Sequence, residues 1–205
     1  MKSSITLLLL TWFLLQFTAC QKPCNESNYS FSITASFLGE NDSIPLGDTL
    51  WLICQTSTRM QDLTTSSEVD FVSVVNLGTT LLVQDIKKFG TYERGAVDSF
   101  DFVKVEGEIY SVQTLDPKRV KQLSFLESNN KYNLKIGIIA KKKGSYVFSI
   151  SDIPQVVYRK NMEQCGKASF EILNGNGDKH FYLFENIVGA ISEYDRKHSY
   201  CLKVF

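Results

Sequence analysis

Tyr29, Phe31, Ile33, Ala35 and Phe37 are apolar, and Ser30, Ser32, Thr34 and Ser36 stand between them. A sustained period of two describes a β-strand with one buried face, because side chains alternate across a strand but recur about every 3.6 residues around a helix. The pattern returns at Tyr132, Leu134, Ile136 and Ile138, and again at Tyr146, Phe148 and Ile150. Thr49 to Thr56 is a near-continuous apolar run and reads as a strand covered on both sides. Further strands are expected at 69–77 and 80–86, around an Asn76-Leu77-Gly78 turn, and at 168–173 and 200–205. Phe100, Phe102 and Val105 mark another, and 108–112 is placed to pair with it through Gly107. The polar stretch 116–130 has room for a short helix near Pro117. Only His180 to Tyr194 has helical spacing, with Phe181, Phe184, Ile187, Val188 and Ile191 on one face.

Many short strands at close spacing, with one short helix, predict an all-β antiparallel sandwich with that helix inserted near the C-terminus. The apolar share of 43% and the balance of 22 basic against 22 acidic residues describe a folded chain, with no basic stripe of the kind nucleic-acid binding needs.

The first residues divide the chain differently. Lys2 precedes the apolar run Ile5 to Leu15, which is the length of a secretory h-region and shorter than the roughly 20 residues of a membrane-spanning helix. The run ends in Phe17-Thr18-Ala19-Cys20, which resembles the bacterial lipobox, with Phe17 in the place of the usual Leu. A plain secretory cut before Cys20 would put the bulky Phe17 three residues upstream, where small residues are required. The resemblance implies that Cys20 is acylated and becomes the N-terminus, and that the chain sits in the cell envelope, at the outer membrane, with its face undetermined. The expected division is a leader at 1–19, a lipidated tether at 20–28 and one β-sandwich domain at 29–205.

With Cys20 assigned to lipid, Cys24, Cys54, Cys165 and Cys201 remain. Four cysteines in an oxidising compartment allow three pairings. The expected pairing is Cys165 with Cys201 and Cys24 with Cys54, the first closing the long connection before the last strand. None has the spacing of a C-x-x-C metal or redox motif.

Two segments carry a fold resemblance. Leu46-Gly47-Asp48-Thr49-Leu50-Trp51-Leu52-Ile53-Cys54 resembles the second strand of immunoglobulin-like domains. Lys143-Gly144-Ser145-Tyr146-Val147-Phe148 resembles their tyrosine corner, with Phe148 where the partner cysteine would stand. The whole layout, ending in Tyr200-Cys201-Leu202-Lys203-Val204-Phe205, resembles uncharacterised lipoproteins of Bacteroidota. Asp42-Ser43-Ile44 and Asp48-Thr49-Leu50 resemble the O-glycosylation tripeptides of that group.

Candidate chemistry is sparse. No zincin, nucleophile-elbow, P-loop or dinucleotide motif occurs. His180 lies two residues from Asp178 and reads as a solvated helix start; His198 has no carboxylate partner in sequence. Asn174-Gly175-Asn176-Gly177-Asp178 has the alternating oxygens of a calcium loop, with Glu185 at the twelfth position. Lys179 occupies the sixth, where an EF-hand requires glycine, so the reading is a tight turn with Asp178 as a helix cap. Lys141-Lys142-Lys143 reads as a solvated turn rather than a lipid-headgroup contact. Trp51 reads as core rather than as a sugar-stacking platform. The chain is therefore expected to be a binding or accessory module, without catalytic residues, cofactor or metal, whose partners are the membrane through its lipid and an envelope protein or glycan. The competing reading is an envelope hydrolase or glycan-processing accessory with dispersed residues.

Overall fold

The computed structural model describes residues 27–39, 41–75, 77–110, 115–151, 157–159, 166–177, 179–190 and 192–205. In chain order the strands are β1 (Ser27–Leu38), β2 (Ser43–Ile44), β3 (Thr49–Ser57), β4 (Arg59–Gln61), β5 (Glu68–Asp70), β6 (Val74–Val75), β7 (Gly78–Asp85) and β8 (Phe100–Glu106). There follow β9 (Glu108–Tyr110), β10 (Val120–Ser124), β11 (Leu126–Ser128), β12 (Lys131–Ala140), β13 (Gly144–Ser151), β14 (Val157–Arg159), β15 (Gly166–Asn174) and β16 (Ser199–Val204). Two short helices, α1 (Tyr182–Glu185) and α2 (Glu193–His198), lie between β15 and β16.

The strands form an eight-stranded sheet, ordered β11-β12-β3-β1-β15-β14-β6 with β8 on the free side of β12, and a six-stranded sheet ordered β2-β16-β13-β7-β10-β9. A separate β4-β5 hairpin is pinned by Asp62, whose carboxylate accepts from the Ser30 amide at 2.8 Å and the Thr65 hydroxyl at 2.6 Å. The alternation of β1 does what its spacing dictates: Phe31, Ile33, Ala35 and Phe37 are buried. One core runs between the two large sheets. Phe37 of β1 meets Phe148 of β13 and Tyr200 of β16 at ring separations of 5.7 and 5.2 Å. Phe100 of β8 closes on Phe148 at 5.2 Å.

The protein is mostly β, with two sheets over a shared core, but both sheets are mixed. β1 runs parallel to β15 over nine consecutive pairs from Ser27↔Gly166 to Ala35↔Asn174, and β16 runs parallel to β2. Parallel neighbours cannot be joined by a tight hairpin, and both pairs are far apart in the chain: β1 from β15 and β2 from β16. The expectation of antiparallel pairing throughout is corrected accordingly.

Three local expectations are also corrected. β8 and β9 do not pair: β8 joins β12 and β9 joins β10. Gly107, at φ +87°, turns the chain from one sheet to the other, and a Cβ there would stand 2.5 Å from the Ser124 carbonyl oxygen. The stretch expected to hold a helix near Pro117 forms β10 and β11 instead. The helix expected over 180–194 is two short ones, separated at Gly189, whose φ is +108°. Phe181 and Phe184 are buried, whereas Ile187 and Val188 are exposed.

Candidate functional site

The surface that stands out is the outer face of the eight-stranded sheet. In β3 the buried residues are Leu50, Leu52 and Cys54, so strand alternation turns Thr49, Trp51 and Ile53 the other way. The expectation that Trp51 is core is corrected. The register places Leu38 of β1, Trp51 of β3, Gly137 of β12 and Val103 of β8 in one row across four strands. Gly137 makes room for the indole: a Cβ at this position would lie 3.2 Å from Trp51 Cζ3 and 3.2 Å from Thr49 Cγ2. The Lys135 ammonium, one pleat along β12, sits 5.3 Å from the indole centroid, within cation–π range. Leu38 is 52% exposed, Val103 46% and Val105 53%, and Ile53 and Ile139 are half-buried. An apolar row with an aromatic ring and a cation beside it can hold a partner by desolvation and stacking.

Cys20, the expected acylation residue, lies outside the described residues, as do Cys24, Cys165 and Asp178. Cys54 and Cys201 are buried free thiols. Cys54 belongs to the main core, whereas Cys201 packs under α1 with Ile86, Val147, Phe181 and Phe184. Burial pushes both thiols up to about 12, so neither is a thiolate at neutral pH.

The expected disulfides, Cys165 with Cys201 and Cys24 with Cys54, each have one partner outside the described residues. Cys54 stands opposite Ala35 in the register of β3 with β1. Cys201 lies two residues from Ser199, whose carbonyl accepts from the Asn174 side chain at 2.7 Å.

The glycine-asparagine loop is a turn. Asn176 Oδ1 accepts from the Phe37 amide at 3.1 Å, its amide nitrogen donates to the Phe37 carbonyl, and Asn174 Oδ1 accepts from the Asn176 amide at 3.3 Å. Glu185 is paired with Arg196 rather than turned to the loop. The recess of about 250 Å³ there is lined by Lys179 and Lys197 as well as 174–177, which opposes a cation. Among the described residues no group of three or more His, Cys, Asp or Glu side chains is placed to hold a metal ion.

Each histidine lies against a tyrosine ring. His180 sits at φ +68° with its ring edge-on to Tyr200 at 5.6 Å, half-buried rather than solvated as expected, and desolvation lowers its pKa. His198 is buried, with Nδ1 2.7 Å from the Tyr194 carbonyl at the end of α2. Lys141, Lys142 and Lys143 are exposed in the turn from β12 to β13, with Lys141 ion-paired to Asp101 at 2.7 Å. Ser43 Oγ donates to Asp42 at 2.9 Å, and the Thr49 amide donates to Asp48 at 2.7 Å. The Tyr146 hydroxyl donates to the Lys142 carbonyl at 3.0 Å. Among the described residues no helix is long and apolar enough to cross a membrane.

No protein-family profile matches the chain, and no curated protein matches it. Among solved structures it is similar to the Reelin-N domain of F-spondin, at 10% identity and a TM-score of 0.39, over 88% of this chain and 93% of that one. It is similar to the human F-spondin reeler domain, at 10% identity and a TM-score of 0.39, over 91% and 100% of the two chains. A conjugative transposon lipoprotein from Bacteroides eggerthii aligns at 13% identity and a TM-score of 0.18, over 69% of this chain and 97% of that one. These similarities are too distant to carry an argument about activity.

Proposed function

We propose that the chain is a lipid-anchored binding module of the bacterial cell envelope, held by Cys20 and engaging an envelope protein or glycan through the outer face of its eight-stranded sheet. The observation that carries the binding reading is Trp51, seated over Gly137 on the outer face in one row with Leu38 and Val103. The anchor rests on Phe17-Thr18-Ala19-Cys20. We read the scaffold as an enlarged immunoglobulin-like sandwich, a reading supported by the Tyr146 bond and by the Gly47-Asp48 turn, with Gly47 at φ +89°, leading into β3.

Photo-cross-linking from native membranes, with the probe at Val103, tests the face. Trp51→Ala should abolish the cross-linked species that the wild type gives, while Tyr92→Ala, at a fully exposed residue elsewhere, should retain it. Equal capture by the Trp51→Ala protein, with its melting temperature unchanged, would remove this face from the proposal. The anchor is tested separately: Cys20→Ser should leave the protein unprocessed or soluble, and full partition of that variant into membranes would refute acylation at Cys20.

A further inference from the structure

We infer that the outer face of the eight-stranded sheet takes an uncharged, linear β-linked glycan, with one pyranose ring stacked on the indole of Trp51. The inference rests on the reading of that face as the binding surface and names its occupant. The indole lies against the sheet in the space Gly137 leaves: a Cβ there would stand 3.2 Å from Cζ3 and 3.3 Å from Cη2. Gly137 is buried, whereas Trp51 is only half-buried and keeps part of its ring for a ligand. In chains of the cellulose and chitin type the ring substituents are equatorial, so each pyranose presents a flat face of C–H bonds. The negative face of an indole attracts such C–H bonds and desolvates them. The Lys135 ammonium, 5.3 Å from the ring centroid, adds N–H donors beside the stacked sugar.

Gln55 lies four residues along β3 from Trp51, on the same face and exposed, about 13 Å away at 3.3 Å per residue. Its amide is already oriented. Nε2 donates to Asn133 Oδ1 at 3.0 Å, and Lys131 Nζ donates to Gln55 Oε1 at 3.2 Å. One N–H and one lone pair of that amide are left for sugar hydroxyls. Between the indole and the amide stands Ile53, with Ser36 of β1 opposite it. Indole, aliphatic side chain, hydroxyl and amide thus follow one another along β3, and a short oligosaccharide running with the strand meets each in turn.

Size selects against a protein. The apolar patch runs from Leu38 to Val103 across three strand spacings and from Ile139 to Ile53 along the strands, which makes about 14 Å by about 13 Å, or about 200 Å². A stable protein interface covers about 800 Å² on each partner, and beyond the patch β1 turns Ser32 and Thr34 outward. Charge selects against an acidic or basic polymer. Lys131 and Lys135 share the face with Asp101 and Glu106, and Asp101 is ion-paired to Lys141 at 2.7 Å. Stacking and hydrogen bonding are what remain, and both suit an uncharged chain.

The full-length protein, purified from membranes in detergent, is titrated with cellohexaose and chitohexaose, and with maltohexaose and hexagalacturonate as bent and charged comparators. Calorimetry and tryptophan emission read binding, and circular dichroism melts show that each variant is folded. At least one β-linked hexasaccharide should bind and shift the emission to the blue. Trp51→Ala should lose that binding, Trp51→Phe should keep a weaker form of it, and Gln55→Ala should weaken it about 2–10-fold, the worth of one neutral hydrogen bond. Equal or tighter binding of maltohexaose or hexagalacturonate overturns the class of ligand. No binding of either β-linked hexasaccharide at about 1 mM overturns the glycan; if cross-linking from Val103 still captures a Trp51-dependent protein species, the face stands and its occupant is a protein. Hexasaccharide binding that survives Trp51→Ala overturns both the stacking and the choice of face.

Discussion

Tyr146→Phe isolates the bond that fastens the turn between the two sheets. β12 lies in the eight-stranded sheet and β13 in the six-stranded one, so residues 141–143 carry the chain from one to the other. The Tyr146 hydroxyl donates back across this turn to the Lys142 carbonyl at 3.0 Å, with Lys143 O at 3.4 Å. Its ring is 3% exposed and stands edge-on to Phe100 at 4.8 Å. Phenylalanine keeps the ring, so the packing is preserved and only the hydroxyl is removed. A neutral hydrogen bond is worth about 0.5–1.5 kcal/mol net. Lys142 is exposed, so water can take the vacated carbonyl and the cost stays near the middle of that range, about 1 kcal/mol. In a chain of this size that lowers Tm by about 2–4 °C. Urea unfolding followed by Trp51 fluorescence measures it, because Trp51 lies in the other sheet and reports global loss of structure. The midpoint should fall with the slope unchanged. A variant within about 0.3 kcal/mol of wild type would show that the turn is held by its flanking strands, and that the tyrosine-corner likeness has no energetic content.

Gly107→Ala should be the most damaging of the glycine variants at sheet crossings, since φ is +87° and the new Cβ would stand 2.5 Å from the Ser124 carbonyl oxygen; a loss of about 2 kcal/mol or more in the same assay is expected, and a neutral result would refute the crossing. Stability should fall as pH rises from about 9 toward 12. Burial pushes Cys54, Cys201 and Tyr200 up to about 12, so the unfolded chain loses these protons first and the native state's advantage, complete below the unfolded values, drains away across that window. Unfolding midpoints in Cys54→Ser/Cys201→Ser should show a weaker alkaline decline than wild type; an identical decline would refute the assignment. Asp62 acts at the other end of the scale: hydrogen bonds from Thr65 and Ser30 lower its pKa, so its contribution is present above the ordinary carboxylate range and is lost as pH falls through the depressed value. Asp62→Asn should flatten the acid limb of the stability profile, and an unchanged limb would assign it to other carboxylates.

What was legible in the sequence is what depends on near neighbours. The alternation of 29–37 names β1 and its buried face, and the same reading finds β12, β13 and β16. Strand partners were not legible, because period two says which way a side chain points and nothing about the neighbouring strand. Gly107 shows the limit: a glycine between two short apolar stretches reads as a hairpin, yet its φ and the closeness of Ser124 make it a corner between sheets. The cysteines show it again. Four residues allow three pairings, and nothing in their spacing chooses among them.

Trp51 was hidden by its own neighbours. Leu50, Trp51, Leu52 and Ile53 form a continuous apolar run, which reads as a strand buried on both faces. Of these, only Leu50 and Leu52 enter the core; Trp51 is half-buried on the opposite face, and Gly137 beside it is where the sheet makes room for the ring. A strand that is apolar on its solvent side is what an unoccupied binding face and a two-sided core strand have in common. The partner strands' outward residues distinguish them. In a covered strand the neighbours would also be continuously apolar, whereas β1 carries Ser30, Ser32, Thr34 and Ser36 outward and gives way to Leu38 only beside Trp51. The apolar character is therefore centred on one row of the sheet and its immediate neighbours Ile53 and Ile139, which is the pattern of a contact patch.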